Sequence, residues 1–485
     1  MKIRPALLVI LTLLTLTLGL TAASAHDPIL GVDPAIVTET VAPGASIEVE
    51  KTVHTPEIPP KPDIYFLADT TGSMDPVIAA VQADAAAVLA SVAAGATDER
   101  FGAGDYKDFP FDAYAFNNAA PIPGGDDGGA AALAAIGAWA AAGGSDGSEG
   151  QFYALHQLAA HGVAAFRAGS TPIVVWFGDF PAHDPVCAAI SLEAHDTTEV
   201  SLTPELVTAG IRVVAISTTT GAPAGLDDDP TAFGGDYLAA CGLEAGLPLQ
   251  ATRIAAATNG VHLSGVGPAE ISAAILAGLG NLPVKVAPLV GPCDASLLVT
   301  FNVPDQTVTS GDDASFTETI LVALDAPQGV TLHCTVTWLL DDQVVLDELG
   351  ATDPRFVEEI WIDVPDVTPP VAACVEGVNP AGNTPKAPGK GQNEDGFYEL
   401  TAEDLVDPDP EIFVADTDSG FVAGPFPSGT NIKLVQAPGA TPNVKPGPGE
   451  VDWIITLNGD ANVFAVDDAG NVSPIAVCLV PPPPK

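Results

Sequence analysis

The chain has 485 residues, too many for a single hydrophobic core, so about two to four domains are expected. Its formal net charge is −46, with 62 Asp plus Glu against 16 Lys plus Arg. A surface of that sign repels phosphate backbones and anionic headgroups, which excludes nucleic acid as a natural partner. Bound cations, salty surroundings and plain solubility remain open.

Met1-Lys2-Ile3-Arg4 is followed by an apolar run over residues 5–20 and then by Ala23-Ser24-Ala25. A basic start, an apolar middle and a small-x-small end describe a secretory signal peptide at 1–25, cut after Ala25. The mature chain is therefore expected to be secreted, extracellular or at a cell surface. It is expected to have no membrane span, because Gly, Pro and carboxylates break the later apolar runs. Residues 26–60 read as an N-terminal β segment, with near-alternation at 47–53, and a Pro-rich hinge covers 56–62.

From residue 61 the character changes. Ile64-Tyr65-Phe66-Leu67-Ala68 is continuously apolar, as suits a strand buried on both faces of a parallel sheet, and it ends at Asp69. A helix is expected from Asp75-Pro76, with Asp75 as its N-cap and Val77, Ile78, Val81, Val88, Leu89 and Val92 at helical spacing. There follow a strand at 101–106, a helix at 150–167 and a second apolar strand at 172–177. A helix opened by Thr203-Pro204 and stopped by Gly210, strands at 211–216 and 261–263, and a helix at 268–279 complete the series. This alternation predicts a doubly wound α/β domain over 61–284. Such folds take ligands at the carboxyl ends of the strands, where Asp69 and Asp179 fall.

Beyond residue 288 the helical pattern stops and turn-separated β runs take over. A β-sandwich domain is expected over 285–366 and a second over 367–480, joined by a Pro-rich linker at 364–370 and followed by a Pro-rich tail at 481–485. A loose echo between residues 38–44 and 306–311 suggests that the N-terminal segment completes, or copies, the first sandwich. Six cysteines in an exported chain predict disulfides. Pairing in domain order gives Cys187–Cys241, Cys293–Cys334 and Cys374–Cys478.

The chemistry concentrates at Asp69-Thr70-Thr71-Gly72-Ser73, on the turn from a buried strand into a helix. Mg²⁺ takes hard oxygen ligands in near-octahedral geometry and keeps several waters. Two hydroxyls two residues apart on a tight turn can face one ion, and the Asp can hold a coordinated water. Arg100-Phe101-Gly102-Ala103-Gly104-Asp105-Tyr106-Lys107-Asp108, Gly144-Ser145-Asp146-Gly147-Ser148-Glu149-Gly150 and Trp176-Phe177-Gly178-Asp179 stand in matching contexts farther along.

These four segments resemble the metal-ion-dependent adhesion site of von Willebrand factor A domains, more narrowly the ligand-binding domain of integrin β subunits and its bacterial relatives. The resemblance covers about residues 63–282. It implies a Mg²⁺ (or Mn²⁺) site made of Asp69, Thr71, Ser73, Glu149 and Asp179. It also implies a flanking Ca²⁺ site at Asp108, Asp146 and Glu149, although Gly144 and Ser148 stand where the family has Asn and Pro. Asp108 and Asp146 are equally readable as loop carboxylates of an acidic protein. For a further flanking site the family's carboxylates would fall at Pro76 and Val77, which cannot supply them. The C-terminal region, with Asp467-Asp468-Ala469-Gly470-Asn471, loosely resembles immunoglobulin-like modules of bacterial surface proteins.

No Gly-x-Ser-x-Gly elbow, His-Glu-x-x-His, P-loop or dinucleotide fingerprint is present, so no enzymatic activity is expected. His156 and His161 share an expected helix but stand five apart, off the facing spacing, and read as surface or packing residues. His183-Asp184 either lines a ligand rim or sits in a solvated loop. Asp227-Asp228-Asp229 reads as a solvated acidic loop in preference to a weak Ca²⁺ site, and Asp467 to Asn471 as a turn. The combined expectation is a multidomain secreted protein, with an α/β von Willebrand A-type domain and all-β immunoglobulin-like modules. It would bind a protein or other carboxylate-bearing ligand through the cation. The competing expectation is a matrix or surface-layer component in which the ion only stabilises the fold.

Overall fold

The computed structural model describes residues 30–96, 98–347, 350–377, 379–380 and 395–481. The expected signal peptide and all but the first residue of the Pro-rich tail lie outside the described residues. The chain opens with three strands, β1 (Gly31–Asp33), β2 (Ile36–Thr40) and β3 (Ser46–His54).

An α/β layer follows. Strands β4 (Pro62–Asp69), β5 (Arg100–Tyr106), β6 (Phe116–Ala120), β7 (Thr171–Gly178), β8 (Arg212–Thr218) and β9 (Val261–Val266) form one sheet. Its order is β6-β5-β4-β7-β8-β9, parallel throughout except at the edge strand β6. The helices are α1 (Asp75–Gly95), α2 (Ala130–Gly137), α3 (Gln151–Ala159), α4 (Ala188–Ser191), α5 (Glu199–Thr208), α6 (Gly235–Cys241), α7 (Gln250–Ala257) and α8 (Ile271–Gly280).

Side chains alternate across a strand, so β4, buried at every position, feeds two cores. Ile64, Phe66 and Ala68 meet α1, α2 and α8 on one face, whereas Tyr65 and Leu67 meet α3, α5 and α7 on the other. This is why its sequence is continuously apolar rather than alternating. By length and composition the stretch Gly72–Gly95 would suffice to cross a membrane. Its Val77, Ile78, Val81, Val88, Leu89 and Val92 are instead buried in the core with the sheet.

Three helix starts or ends differ from expectation, each for a local reason. Asp75 is the first helical residue and makes no capping bond, because the 3₁₀ turn Gly72–Met74 runs straight into α1. The α5 helix begins at Glu199, where Thr198 and Ser201 bond each other's backbone N–H, so Pro204 falls inside the helix. The helix expected to reach residue 167 stops at Ala159, and Gly162 turns the chain with φ at +61°.

The chain then returns to β structure with β10 (Pro283–Cys293), β11 (Leu297–Phe301), β12 (Gln306–Thr309), β13 (Asp313–Val322), β14 (Val330–Leu340), β15 (Gln343–Val344) and β16 (Val357–Val364). One sheet has the order β1-β3-β13-β11 and the other β12-β10-β14-β16-β2, with β15 on β14. The N-terminal strands therefore complete this sandwich: β3 runs antiparallel along β13, and β2 parallel to β16. The α/β layer is an insertion between β3 and β10. Its entry and exit are fastened to one turn, where Gly311 N–H donates to the Pro56 carbonyl and Ser310 N–H to that of Leu282, both at 2.9 Å.

A second pair of sheets closes the chain. Val371–Glu376, Phe397–Glu403, Thr430–Gln436, Trp453–Leu457 and Asn443–Pro446 form one, and Val422–Phe426, Glu411–Asp416, Ala461–Val466 and Ala476–Cys478 the other. The cysteines are bonded as Cys187–Cys241, Cys293–Cys334 and Cys374–Cys478. The first ties the loop before α4 to the end of α6, the second joins β10 to β14, and the third links the two C-terminal sheets. Three such bonds are what an oxidising, extracytoplasmic environment maintains.

Candidate metal centre

At the carboxyl edge of the parallel sheet, β4 delivers Asp69 into a tight turn. One carboxylate oxygen, Oδ1, accepts the Thr71 backbone N–H at 2.8 Å and the Thr71 hydroxyl at 2.7 Å. The Thr71 and Ser73 hydroxyl oxygens stand 3.5 Å apart. A neighbouring strand end and the loop ahead of a helix supply the rest. Asp179, just past β7, accepts the Ser73 hydroxyl at 3.2 Å and the Thr220 hydroxyl at 2.8 Å, one on each oxygen. Glu149 lies just ahead of α3, held by its N–H to the Pro181 carbonyl and by its own carbonyl, which accepts the His183 N–H, both at 3.0 Å.

The three carboxylates are 0%, 2% and 0% exposed at Asp69, Glu149 and Asp179. Burial pushes the Asp69 carboxyl up to about 8, and the facing Asp179 adds to the rise. Burial, then Asp69, then Asp108 raise Glu149 well above the carboxylate range, and burial raises Asp179. Lys107 offsets part of this for Asp69. Its ammonium is almost buried and donates to the carbonyls of Thr70, of Ala140 at 3.2 Å and of Ala142 at 2.6 Å.

Two buried atoms of this group, Asp69 Oδ2 and Glu149 Oε2, accept no hydrogen bond. Unpaired carboxylate oxygens in a buried setting are costly, and a bound cation would satisfy them. The donor set is all oxygen, with acidic and hydroxyl groups, which matches the preference of Mg²⁺ or Mn²⁺ and not of a softer ion. Thr71, Ser73 and Glu149 would contact such an ion, with Asp69 and Asp179 close behind. Gly72 is exposed and Ser73 partly so, which leaves the centre a mouth to solvent.

Of the three residues expected at the flanking position, Asp108 and Asp146 converge, around a residue that the sequence reading left in a rim or a solvated loop, and Glu149 is not part of that group. His183 is fully buried, with its ring nitrogens 3.0 Å from Asp108 Oδ1 and 2.9 Å from Glu244 Oε2, and it stacks on Tyr237 at 3.7 Å. Asp146 Oδ1 is 3.7 Å from the same ring. Both oxygens of Asp108 also accept backbone N–H groups, from Phe109 at 2.5 Å and Ser145 at 3.0 Å. The close trio is thus Asp108, Asp146 and His183. Gly144, where the family has Asn, adopts φ +81°, and a Cβ there would sit 3.0 Å from Thr71 Cβ and 3.2 Å from Glu149 Oε1. The positive φ, which glycine adopts at no steric cost, is the reason glycine suits the position.

Two loop expectations are corrected. In the segment after Asp179, Pro181, Ala182 and His183 are buried, so only Phe180 and Asp184 reach the surface. The run Asp227 to Asp229 is not a solvated loop. Asp227 is 6% exposed, accepts the backbone N–H and hydroxyl of Thr252, and pairs with His262. Thr220 and Lys107 escaped the sequence reading as parts of the site. Thr220 had a readable cue, since Thr218-Thr219-Thr220 ends a core strand beside Asp179. Lys107 had none, because its partners are backbone carbonyls of loops.

No family model matches the sequence, and no curated protein matches it. Among solved structures the chain is similar to a protein described as von Willebrand factor type A from Catenulispora acidiphila. The two are 11% identical, with 68% of this chain and 72% of that chain covered at a TM-score of 0.33. It is also similar to proximal thread matrix protein 1 from the mussel byssus, 14% identical over 47% of this chain, at a TM-score of 0.32. The match spans 50% of that protein's length.

Proposed function

We propose that this is a secreted, non-catalytic adhesion protein of the von Willebrand A type that captures a carboxylate-bearing ligand through Mg²⁺ or Mn²⁺. The observation that carries the reading is the pair of buried, unpartnered oxygens on Asp69 and Glu149 beside the Thr71 and Ser73 hydroxyls. When bound, the ion supplies a concentrated positive charge toward which a ligand carboxylate is drawn. The protein's own groups do the positioning. Thr71 holds the Asp69 carboxylate by two bonds, Thr220 fixes one oxygen of Asp179, and Lys107 ties the loop carbonyls beneath the turn. The two β modules, immunoglobulin-like in this reading, act as spacers that carry the binding layer.

A thermal melt of the mature chain tests the centre, first in EDTA, then in Mg²⁺, Mn²⁺ or Ca²⁺, with Asp69→Ala alongside. An ion at about a hundred times its dissociation constant adds roughly 2.7 kcal/mol, a rise of a few degrees that the variant should lose. Absence of any shift in the natural chain would sink the proposal. The near-complete burial of the carboxylates favours the second reading, in which the ion only stabilises a matrix component. Under that reading the melt still shifts, but an excess of a soluble carboxylate, such as an acidic peptide, leaves the metal-loaded protein unbound.

A further inference from the structure

At the opposite end of α3 from Glu149 lies a second group of metal-binding side chains, unrelated to the oxygen-rich centre. The chain leaves α3 at Ala159, and His161, two residues on, stands against His156. Their rings meet edge to face at 5.2 Å. Glu193, just after α4, enters between them: its Oε2 is 3.6 Å from His156 Nε2 and 3.2 Å from His161 Nε2. One donor atom from each residue lies within 4.8 Å of the other two. Tetrahedral coordination at about 2.0–2.1 Å implies donor separations of about 3.3 Å, so a modest rotation of half-exposed His161 closes the set.

The surroundings orient these donors. His156 Nδ1 stands 2.6 Å from Glu205 Oε2 on α5, a contact that places the proton on Nδ1 and leaves the Nε2 lone pair facing Glu193. Gln157 Nε2 donates to Glu193 Oε1 at 2.6 Å, which leaves Oε2 to the two imidazoles. Carboxylate behind histidine and amide behind carboxylate are the outer contacts that metal ligands typically have. All six cysteines are paired, so no thiolate competes for a soft ion.

The geometry points to a surface site for a divalent transition ion of the Zn²⁺ class, bound by His156 Nε2, His161 Nε2 and Glu193 Oε2. Two imidazoles and one carboxylate suit Zn²⁺ and its neighbours, whereas Mg²⁺ and Ca²⁺ prefer all-oxygen sets. Side-chain exposure of 48% at His161 leaves the remaining coordination position to water. The ion would pin the loop after α3 to the loop after α4 and, through Glu205, to α5.

Calorimetric titration of Zn²⁺ into the mature chain, with Mg²⁺ present throughout, tests the assignment, and Co²⁺ supplies a visible-absorption readout of the same site. The natural chain is expected to bind one equivalent. His161→Ala alters a half-exposed position and Glu193→Gln keeps the shape of a side chain that is 19% exposed, and each should weaken binding by at least about tenfold. Glu205→Gln should weaken it less, and Asp69→Ala should leave it unchanged, which separates this site from the Mg²⁺ centre. No stoichiometric binding, or an affinity indifferent to both His161→Ala and Glu193→Gln, would overturn the assignment.

Discussion

Asp69 carries one end of an electrostatic conflict that the metal-free fold resolves with protons. Its carboxyl is pushed up to about 8, and Glu149 and Asp179 are raised with it, all chiefly by burial. The native chain then holds protons that the unfolded chain releases near the ordinary carboxylate range. That contribution to stability is complete at acid pH and fades as pH rises toward about 8. EDTA-treated protein should therefore melt lower near pH 8 than near pH 6, with Mg²⁺ closing most of the gap. Asp69→Ala should flatten the metal-free profile, and an unchanged slope in that variant would contradict the assignment of the conflict to this site. Thr220→Val removes the donor on one oxygen of Asp179 and should weaken Mg²⁺ binding by about tenfold.

Asp69, Thr71 and Ser73 were legible because three donors fall within five residues on a strand-turn-helix, where local geometry alone brings them together. Asp179 was marked by its place at the carboxyl end of an apolar strand, whereas Glu149 needed the family resemblance, since nothing local marks it. His183 was misjudged, because a histidine in a polar stretch looks solvated until Glu244 and Asp108 close around it.

At the scale of elements, β3 shows how a strand pattern can hide chemistry. Ile47, Val49, Lys51 and Val53 share one face by period two, so a lysine points into the sandwich. Its ammonium is fully buried against Glu358 on β16 and lies 3.6 Å from Glu318 on β13, and it donates to the Pro34 carbonyl at 2.9 Å. Burial and the facing Glu358 push the Glu318 carboxyl up to about 8. Replacing Lys51 with Met strands two glutamates in an apolar core and should cost about 3–5 kcal/mol in denaturant unfolding. A loss under about 1 kcal/mol would mean that the triad is solvated in practice. The alternation revealed the lysine's face, but not its partners, which lie far along the chain. The same distance left open whether β1 to β3 completed the sandwich or copied it.

For the whole molecule, the decisive feature is that the α/β layer interrupts a sandwich. Its entry at Pro56 and its exit at Leu282 are bonded to neighbouring residues of one turn. A tension applied to the two chain ends therefore enters at β1, held on β3, runs through β2 and β16, a parallel pair that such a pull shears, and on into the C-terminal sheets. The inserted layer hangs beside that route and bears no tension while the sandwich holds. In a pulling experiment with handles at both ends of the mature chain, release of the insert's length should always follow rupture of the sandwich, and release before it would refute this load path. A tug delivered through a captured ligand is different: it leaves the insert by β3 and β10, one in each sheet of the sandwich, which share it. The candidate centre can thus keep its shape while its own chain is stretched, as a hook does on a taut line.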